Sequence, residues 1–165
     1  MSYPEYMSGV QLTGHGGPET LVWNDKIPVR PPAPDEVVVR VKAAGINNTD
    51  INTRIGWYSK EVSASTDAVD PDAKIEGGGW SGALKFPLIQ GADLCGEIVA
   101  LGSDVVDFDI GTRMTCATNQ PVPTPDNPVK LDVIGSEYDG AFAQYCTLQA
   151  SRLYDVSASP LSDVE

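Results

Sequence analysis

The stretch EVVVRVKAAGINNTDINTR, residues 36–54, contains the signals that decide the fold. Its first half alternates: the odd positions from Val37 to Ala43 are apolar, and the even positions are Val38, Arg40, Lys42 and Ala44. Successive side chains of a β-strand point to opposite faces, so this alternation is typical of a strand. The sequence therefore predicts a strand over Glu36–Ala44 with one apolar face and one mostly polar face.

A short helix is predicted directly after this strand, from Asn47 onward. Asn47 or Asn48 can accept hydrogen bonds from the unpaired N–H groups of a first helical turn. Asp50 lies where the helix dipole favours an anion. It is also spaced to form an i,i+4 ion pair with Arg54. We predict a helix of two turns in which Asp50 either caps the helix or pairs with Arg54.

Strand signals continue along the chain on both sides of this unit. Segments rich in Val, Ile, Leu, Thr and Tyr occur at Gly9–Thr13, Thr20–Trp23, Leu94–Leu101, Arg113–Ala117, Phe142–Leu148 and Arg152–Val156. Short strands at such intervals favour a β-barrel or a sandwich. Two long segments, Ser59–Lys85 and Thr118–Asp139, interrupt the pattern and exceed the usual length of a structureless loop. Each is therefore expected to be functional or mobile.

Composition narrows the class of protein. A chain of 165 residues fits one domain. Its net charge of −12 repels polyanions, so we do not expect it to bind nucleic acid. The three cysteines, Cys95, Cys116 and Cys146, are too widely spaced for a disulfide framework. No stretch is typical of a signal peptide or a membrane span, so we expect a cytoplasmic protein without membrane contact. The single histidine, His15, is expected in a surface turn, and Cys95 as a buried, inert thiol.

Four stretches resemble, in chain order, successive motifs of the medium-chain dehydrogenase/reductase superfamily. They are GGPETL (Gly16–Leu21), VKAAGINNTDINTR (Val41–Arg54), GADLCGEIVALGSDVVDFDIGTRM (Gly91–Met114) and DGAFAQYCTL (Asp139–Leu148). The resemblance implies that residues 1–165 form the N-terminal substrate domain of such an enzyme. That domain is mainly β, a GroES-like, partly open β-barrel with a few short helices.

In this superfamily the substrate domain works with a Rossmann domain that binds NAD(P). The chain has no Gly-x-Gly-x-x-Gly turn between a strand and a helix, which is the dinucleotide-binding signal. We therefore expect that the C-terminal Rossmann domain is absent from this chain and that the chain alone is inactive. NADPH or NADH would then bind only together with the missing domain.

Members of the zinc branch of the superfamily have Cys, His and Glu at the positions that match Asn47, Ala92 and Asp93 of this chain. Alanine has no donor atom, a neutral carboxamide is a poor zinc ligand, and one carboxylate cannot retain the ion. The resemblance also matches Thr49 to the hydroxyl that relays a proton in zinc alcohol dehydrogenases. It matches Asp50 to the carboxylate that orients the ligand histidine. We predict that the protein binds no zinc.

The zinc-independent, quinone-oxidoreductase-like branch fits better, because its members carry an Asn at Asn47 and an Asp at Asp50. Gly91–Asp93 resembles that branch's metal-free motif, and Tyr58 resembles the tyrosine of its substrate pocket. Hydride delivered to the β-carbon of a conjugated carbonyl builds negative charge on the carbonyl oxygen, so a site without a metal needs neutral donors there. The Asn47 amide and the Tyr58 hydroxyl are the candidate donors, with Thr49 as a third catalytic candidate.

These residues predict a substrate-binding domain of an NAD(P)H-dependent oxidoreductase that passes hydride to a quinone, enone or enal. Asn47 and Asn48 are expected to contact the cofactor, and Asp50, Ile51 and Trp80 to line the substrate pocket. The segment Ser59–Lys85, which carries Trp80, is a candidate lid over that pocket.

Two other functions stay open at this stage. One is a zinc-type alcohol dehydrogenase domain, and the other is a non-catalytic GroES-like binding module. The sequence decides neither the identity of the small-molecule substrate nor the choice between NADPH and NADH. It also leaves open whether the full-length protein is a homodimer.

Overall fold

A computed structural model describes residues 3–59, 79 and 82–165. Trp80 and most of the predicted lid segment therefore lie outside the described residues. The strands are β1 (Tyr6–Leu12), β2 (Leu21–Pro28), β3 (Glu36–Gly45), β4 (Leu88–Ile89), β5 (Asp93–Leu101), β6 (Arg113–Cys116), β7 (Asn119–Pro121), β8 (Leu131–Val133), β9 (Tyr145–Gln149) and β10 (Leu153–Asp155). One α-helix, α1 (Asn48–Arg54), and two short 3-10 turns, Pro18–Thr20 and Ala150–Arg152, complete the described elements. The predicted helix is confirmed, and the seven predicted strands correspond to β1, β2, β3, β5, β6, β9 and β10.

The strands form three antiparallel sheets. The largest has the order β10-β6-β5-β3-β9, the second β2-β1-β4, and the third is the pair β7-β8. Backbone hydrogen bonds from Val10 N to Phe142 O (2.8 Å) and from Gln144 N to Ser8 O (3.0 Å) join β1 to the residues before β9. Over the described residues the sheets do not close into a barrel, so the predicted mainly β, partly open GroES-like architecture is confirmed.

The central strand β3 is buried on both faces along its first half, which corrects the prediction of one polar face. Val37 and Val39 pack in a cluster with Ile98, Met114 and Leu148. Val38 lies in a second cluster, with Met7, Ile27, Val29, Ile89 and Val99. A strand whose sheet is covered by apolar clusters on both faces has no solvent face there, so the alternation of residues alone gave the wrong prediction for this region.

Two of the family-like motifs meet through their backbones beside α1. Ala141 N donates to Gly91 O (2.9 Å), and Phe142 N donates to Gln90 O (2.9 Å). Gly91 has φ +105°, and a Cβ at this position would lie 2.7 Å from Phe142 Cδ1 and 2.8 Å from Phe142 N. Position 91 therefore requires glycine for both its dihedral angle and its packing. This close approach fixes the start of β5, from which Asp93 projects near α1.

The long segment Thr118–Asp139 contains regular secondary structure and is not an open loop. It contains the hairpin β7-β8, which the sequence analysis did not predict. The buried guanidinium of Arg152 stacks 4.6 Å from the centre of the Tyr138 ring. The same side chain donates to Asp132 O (3.4 Å) and to Gln149 Oε1 (3.2 Å). Arg152 thus attaches this segment to the end of β9.

Candidate active site

The N-terminus of α1 is closed by a capping box formed by Asn47 and Asp50. The Asn47 side-chain oxygen Oδ1 accepts from Thr49 N (3.0 Å), and Asn47 N donates to Asp50 Oδ2 (2.9 Å). Both contacts satisfy N–H groups that have no partner inside the helix. The capping role predicted for this region is confirmed.

Asp50 also joins the helix to the start of β5. Its Oδ1 accepts from Gly91 N (3.0 Å), the Ala92 N–H adds a further hydrogen bond, and its own carbonyl accepts from Gln90 Nε2 (2.8 Å). Burial raises the pKa of Asp50 and the nearby charge of Asp93 adds to this, while the backbone hydrogen bonds act in the opposite direction.

The predicted ion pair between Asp50 and Arg54 is wrong. Arg54 instead donates from its guanidinium to Gly16 O (2.6 Å), on the loop between β1 and β2. The Asp50 carboxylate is committed to backbone N–H groups, which hold it at the other end of the helix. The i,i+4 spacing of Asp50 and Arg54 would allow an ion pair, but each side chain binds backbone groups elsewhere in the fold instead.

A second group of contacts fixes the Asn47 amide. Asn47 Nδ2 donates to Asp93 Oδ2 (3.2 Å), and Thr118 Oγ1 donates to Asp93 Oδ1 (3.4 Å). Because Asn47 Oδ1 already accepts from Thr49 N, both ends of the amide have defined partners. An amide nitrogen has two hydrogens, and Asp93 accepts one of them.

Tyr58 lies beside this group, on the turn that follows α1. Its hydroxyl oxygen is 2.8 Å from Thr49 Oγ1 and accepts from Asn52 Nδ2 (3.4 Å). The ring is half-buried and contacts Trp57 edge to face, with 5.5 Å between ring centres. Four of the residues selected from the sequence, Asn47, Thr49, Asp50 and Tyr58, are thus brought together by direct contacts.

The other selected residues are placed differently. Asn48 is the first residue of α1 and is exposed, and the side chain of Ile51 is 42% exposed, so both face outward from the hydrogen-bonded group. Sequence reasoning missed Gln90 and Thr118. Thr118 contacts Asp93 across 25 residues, and no local pattern in the sequence marks that contact.

The donor set at positions 47, 92 and 93 does not fit a zinc ion. It consists of a neutral amide, a fully buried methyl group and one carboxylate that already accepts from Asn47 and Thr118. Over residues 3–59, 79 and 82–165, no group of three or more His, Cys, Asp or Glu side chains could hold a metal ion. The absence of zinc from the protein stays a prediction.

Two expectations about single residues are corrected. His15 is half-buried rather than a free surface residue: its Nδ1 donates to Thr53 O (3.1 Å), and its ring packs edge to face on Phe86. Cys95 is half-buried, with its Sγ 3.7 Å from Asp163 Oδ1. Burial, followed by the charge of Asp163, raises the pKa of the Cys95 thiol, which disfavours the reactive thiolate. The expected inertness of Cys95 stays a prediction.

A cavity of about 610 Å³ lies elsewhere in the molecule. Arg30, Leu84, Tyr138 and Tyr145 are among its lining residues, and so are residues 82–85, the described end of the predicted lid segment. None of the described residues predicted for the site lines it; these are Asn47, Asn48, Thr49, Asp50, Ile51 and Tyr58. Arg30, one of the cations that line the cavity, is bound by both oxygens of Glu36. We therefore place the candidate active site at Asn47 rather than in the larger space.

Among the residues that the structure describes, no helix has the length and apolarity needed to cross a membrane.

Comparison with known proteins shows which proteins the chain resembles. Residues 33–158 match the family described as the alcohol dehydrogenase GroES-like domain. L-threonine 3-dehydrogenase of Ruegeria pomeroyi is 32% identical over 142 residues, which cover 81% of this chain and 35% of that protein. A provisionally assigned alcohol dehydrogenase from Sinorhizobium meliloti 1021 has a crystal structure that superimposes with a TM-score of 0.80 at 35% identity, covering 99% of this chain and 43% of that one.

A quinone oxidoreductase from Pseudomonas syringae is a more distant structural match. It has a TM-score of 0.60 at 25% identity, covering 95% of this chain and 35% of that one. The chain spans between 35% and 39% of the length of the curated relatives it matches.

Proposed function

Because this chain belongs to the alcohol dehydrogenase GroES-like domain family of the medium-chain dehydrogenase/reductase superfamily, we propose that it forms the substrate side of an NAD(P)H-dependent oxidoreductase. The substrate class is a small conjugated carbonyl: a quinone, an enone or an enal. A separate Rossmann domain of the whole protein would bind the nucleotide, which accords with the fraction of its relatives that the chain spans. In this proposal the chain alone does not turn over.

In this chain Asn47 and Asn48 would contact the nicotinamide cofactor, which when bound would supply a hydride, with its electron pair, to the β-carbon of the substrate. The electrons of the carbon–carbon double bond then shift toward the carbonyl, and negative charge develops on its oxygen. Asn47 Nδ2–H donates to that oxygen, with the Tyr58 hydroxyl as the second donor. The charge is neutralised when a proton from Tyr58 or water reaches the substrate, and Tyr58 recovers its proton from solvent. Neutral donors fixed in position before the reaction stabilise such charge at no cost of reorganisation.

The observation that carries this proposal is the fixed orientation of the Asn47 amide. Its oxygen is bound to Thr49 N and one of its N–H groups to Asp93 Oδ2, so the side chain is held by two contacts of opposite polarity. A flexible amide would first have to be ordered by the substrate, at a cost in conformational entropy. Asn47 is therefore organised in advance as a donor.

The test uses the whole protein with NADPH and either 1,4-benzoquinone or crotonaldehyde. Asn47→Ser is the informative substitution, because serine also caps a helix but lacks the amide donor. We expect kcat to fall by about 10²-fold to 10³-fold for Asn47→Ser, and Tyr58→Phe to lower it in the same direction. Unchanged thermal midpoints would show that the variants are folded. Wild-type turnover in both variants would remove these two donors from the mechanism.

A second candidate is alcohol or polyol oxidation of the zinc type, favoured by the dehydrogenase names of the matched relatives. The donor set at positions 47, 92 and 93 argues against it. Metal analysis of protein purified without chelator separates the two functions. Stoichiometric zinc, together with oxidation of an alcohol by NAD⁺, would support the second candidate and exclude the first.

A further inference from the structure

We propose that Asp93 is a positioning residue, whose carboxylate holds the Asn47 amide in the one orientation that presents an N–H to the substrate. The hydrogen-bonding part of this inference stands on the structure alone. Its catalytic consequence rests on the proposed function. Neither the family match nor the resemblance of the motifs assigns this role to Asp93.

The contacts on the two ends of the amide select a single orientation. Thr49 N–H is a donor and faces Asn47 Oδ1, while the Asp93 carboxylate is an acceptor and faces Asn47 Nδ2. A rotation of the amide by 180° would put two donors together at Thr49 and two acceptors together at Asp93. Each such mismatch would leave polar groups without a partner, so only the orientation with Nδ2 toward Asp93 satisfies both neighbours.

Asp93 is itself held in place by two neighbours, Gly45 and Thr118. It is the first residue of β5 and pairs with Gly45 at the end of β3. Gly45 leaves room for it, because a Cβ on Gly45 would lie only 3.1 Å from Asp93 Cβ. Thr118 Oγ1 donates to the carboxylate oxygen that Asn47 does not use. The acceptor therefore reaches Asn47 from a rigid strand rather than from a loop.

The chemistry of the carboxylate suits this role. An ionised carboxylate has acceptor sites only, so it can pair with Nδ2 but not with Oδ1. It occupies one of the two hydrogens on Nδ2, and the second hydrogen is directed away from Asp93. The functional N–H of Asn47 thus has its direction set by a residue that does not itself touch the substrate.

The first test is spectroscopic and needs neither substrate nor cofactor. In ¹⁵N-labelled protein, the peaks of the Asn47 side-chain NH₂ group are identified by their loss in Asn47→Ser. We expect Asp93→Ala to shift this pair upfield and to speed its exchange with solvent, because the hydrogen bond is lost. Asp93→Asn, which keeps an acceptor oxygen, should give a smaller shift. Asp107→Ala, at an exposed acidic residue, is the matched control and should leave the pair unmoved.

If Asp93→Ala leaves the Asn47 pair at its wild-type position, the proposed contact does not exist in solution and the inference is overturned. Asp93→Asn keeps the test decisive if the alanine variant does not fold. In that case, an unchanged solvent-exchange rate and position for Asp93→Asn would count against the inference.

The second test measures coupling in the whole protein with NADPH and crotonaldehyde. We expect Asp93→Ala to lower kcat by about 10-fold, a usual effect of losing a residue that orients a functional group, with a smaller change in KM. In the Asn47→Ser background the same substitution should have almost no further effect, because it acts only through Asn47. Equal effects in both backgrounds would overturn the positioning role.

The two proposals fail in different ways. If Asn47→Ser leaves kcat unchanged, the proposed reductase function fails. The NMR comparison still decides whether Asp93 orients Asn47.

Discussion

At the scale of single residues, Asp50 shows how a buried carboxylate can organise the site through hydrogen bonds to the backbone. Its side chain is 5% exposed and accepts hydrogen bonds from Asn47 N and Gly91 N. Burial of the charged form raises its pKa more than these hydrogen bonds lower it. The residue holds the cap of α1 against the start of β5, and so sets the spacing between Asn47 and Asp93.

This raised pKa makes a prediction about stability and pH. Between the pKa of Asp50 in the unfolded chain, near 4, and its higher value in the folded protein, the folded state binds more protons. The contribution of Asp50 to stability therefore falls as pH rises through that window. Asp50→Asn removes this titration, so urea unfolding at a series of pH values should show a weaker decline above pH 4 in the variant.

The same substitution should also lower stability at neutral pH. An asparagine at position 50 places an NH₂ donor against one of the backbone N–H donors of Asn47, Gly91 and Ala92, which costs about 1–3 kcal/mol of unfolding free energy. Asp107→Asn, at an exposed position, is the control and should change neither quantity. A variant at position 50 with the wild-type dependence on pH would contradict the assignment of the raised pKa to Asp50.

Part of the site could be predicted because its residues are close together in the sequence. Asn47, Thr49 and Asp50 belong to one capping box, and capping preferences are local. The partnership of Asp93 with Asn47 and Thr118 could not be predicted, since it depends on how β5 and the segment after β6 approach α1. The partner of Arg54 could not be predicted either: its spacing from Asp50 indicated an ion pair, but its guanidinium binds Gly16 O on the loop between β1 and β2.

At the scale of elements, α1 depends on its neighbours at both ends. A helix of seven residues is too short to be stable alone in water. Its N-terminus is held by the capping box, and its last carbonyl, Arg54 O, accepts from Gly16 N (3.0 Å). His15 Nδ1 adds a contact to Thr53 O. The loop between β1 and β2 therefore helps to fix the catalytic candidates on α1.

Gly91 gives a prediction about the junction of β4 and β5. Gly91 and Gly111 both have positive φ, +105° and +94°, but only Gly91 would bring a Cβ within 3 Å of neighbouring atoms. Gly111→Ala should cost about 1–2 kcal/mol, from the dihedral angle alone. Gly91→Ala should cost a further 1–3 kcal/mol or so for overpacking against Phe142. Chemical unfolding of the two variants measures the difference, and equal losses would show that the close approach is not rigid.

The elements that the sequence predicted are those with strong patterns of their own. Strands β3 and β5 are rich in branched residues and were predicted to within a few residues. The hairpin β7-β8 was not predicted, because its short strands contain proline and polar residues and show no strand pattern. The segment that contains it packs on the rest of the chain through Arg152 and Tyr138. β4 has two residues, too few for any period to appear.

At the scale of the whole molecule, two apolar clusters share the central strand β3. Val37 and Val39 belong to one cluster and Val38 to the other, so consecutive residues of a single strand support both. The site lies at the end of this strand, where Gly45 pairs with Asp93. Both apolar clusters therefore stabilise β3, and α1 begins three residues after the end of that strand.

The segment after β10 returns across the same sheet and is held there by Arg113, on β6. The guanidinium donates to Asp163 Oδ1 (2.6 Å), Leu161 O (2.8 Å) and Val156 O (3.3 Å). This contact also holds the pKa of Asp163 below its ordinary value. The planar fork of arginine suits several oxygens at once, whereas lysine offers a single point charge. One side chain thus fixes the path of Ser157–Glu165.

We expect Arg113→Ala to speed hydrogen exchange several-fold at the amides of residues 157–163, with no change in β3 or β5. The reason is that the segment loses its contacts with the sheet while both cores stay intact. Arg113→Lys should give an intermediate rate, because it keeps the charge but loses the fork. Lys42→Ala, which removes the cation of the half-exposed Lys42–Glu97 pair, is the control for a loss of charge and should leave the segment unchanged. Wild-type exchange rates at residues 157–163 in Arg113→Ala would show that other contacts hold this segment to the sheet.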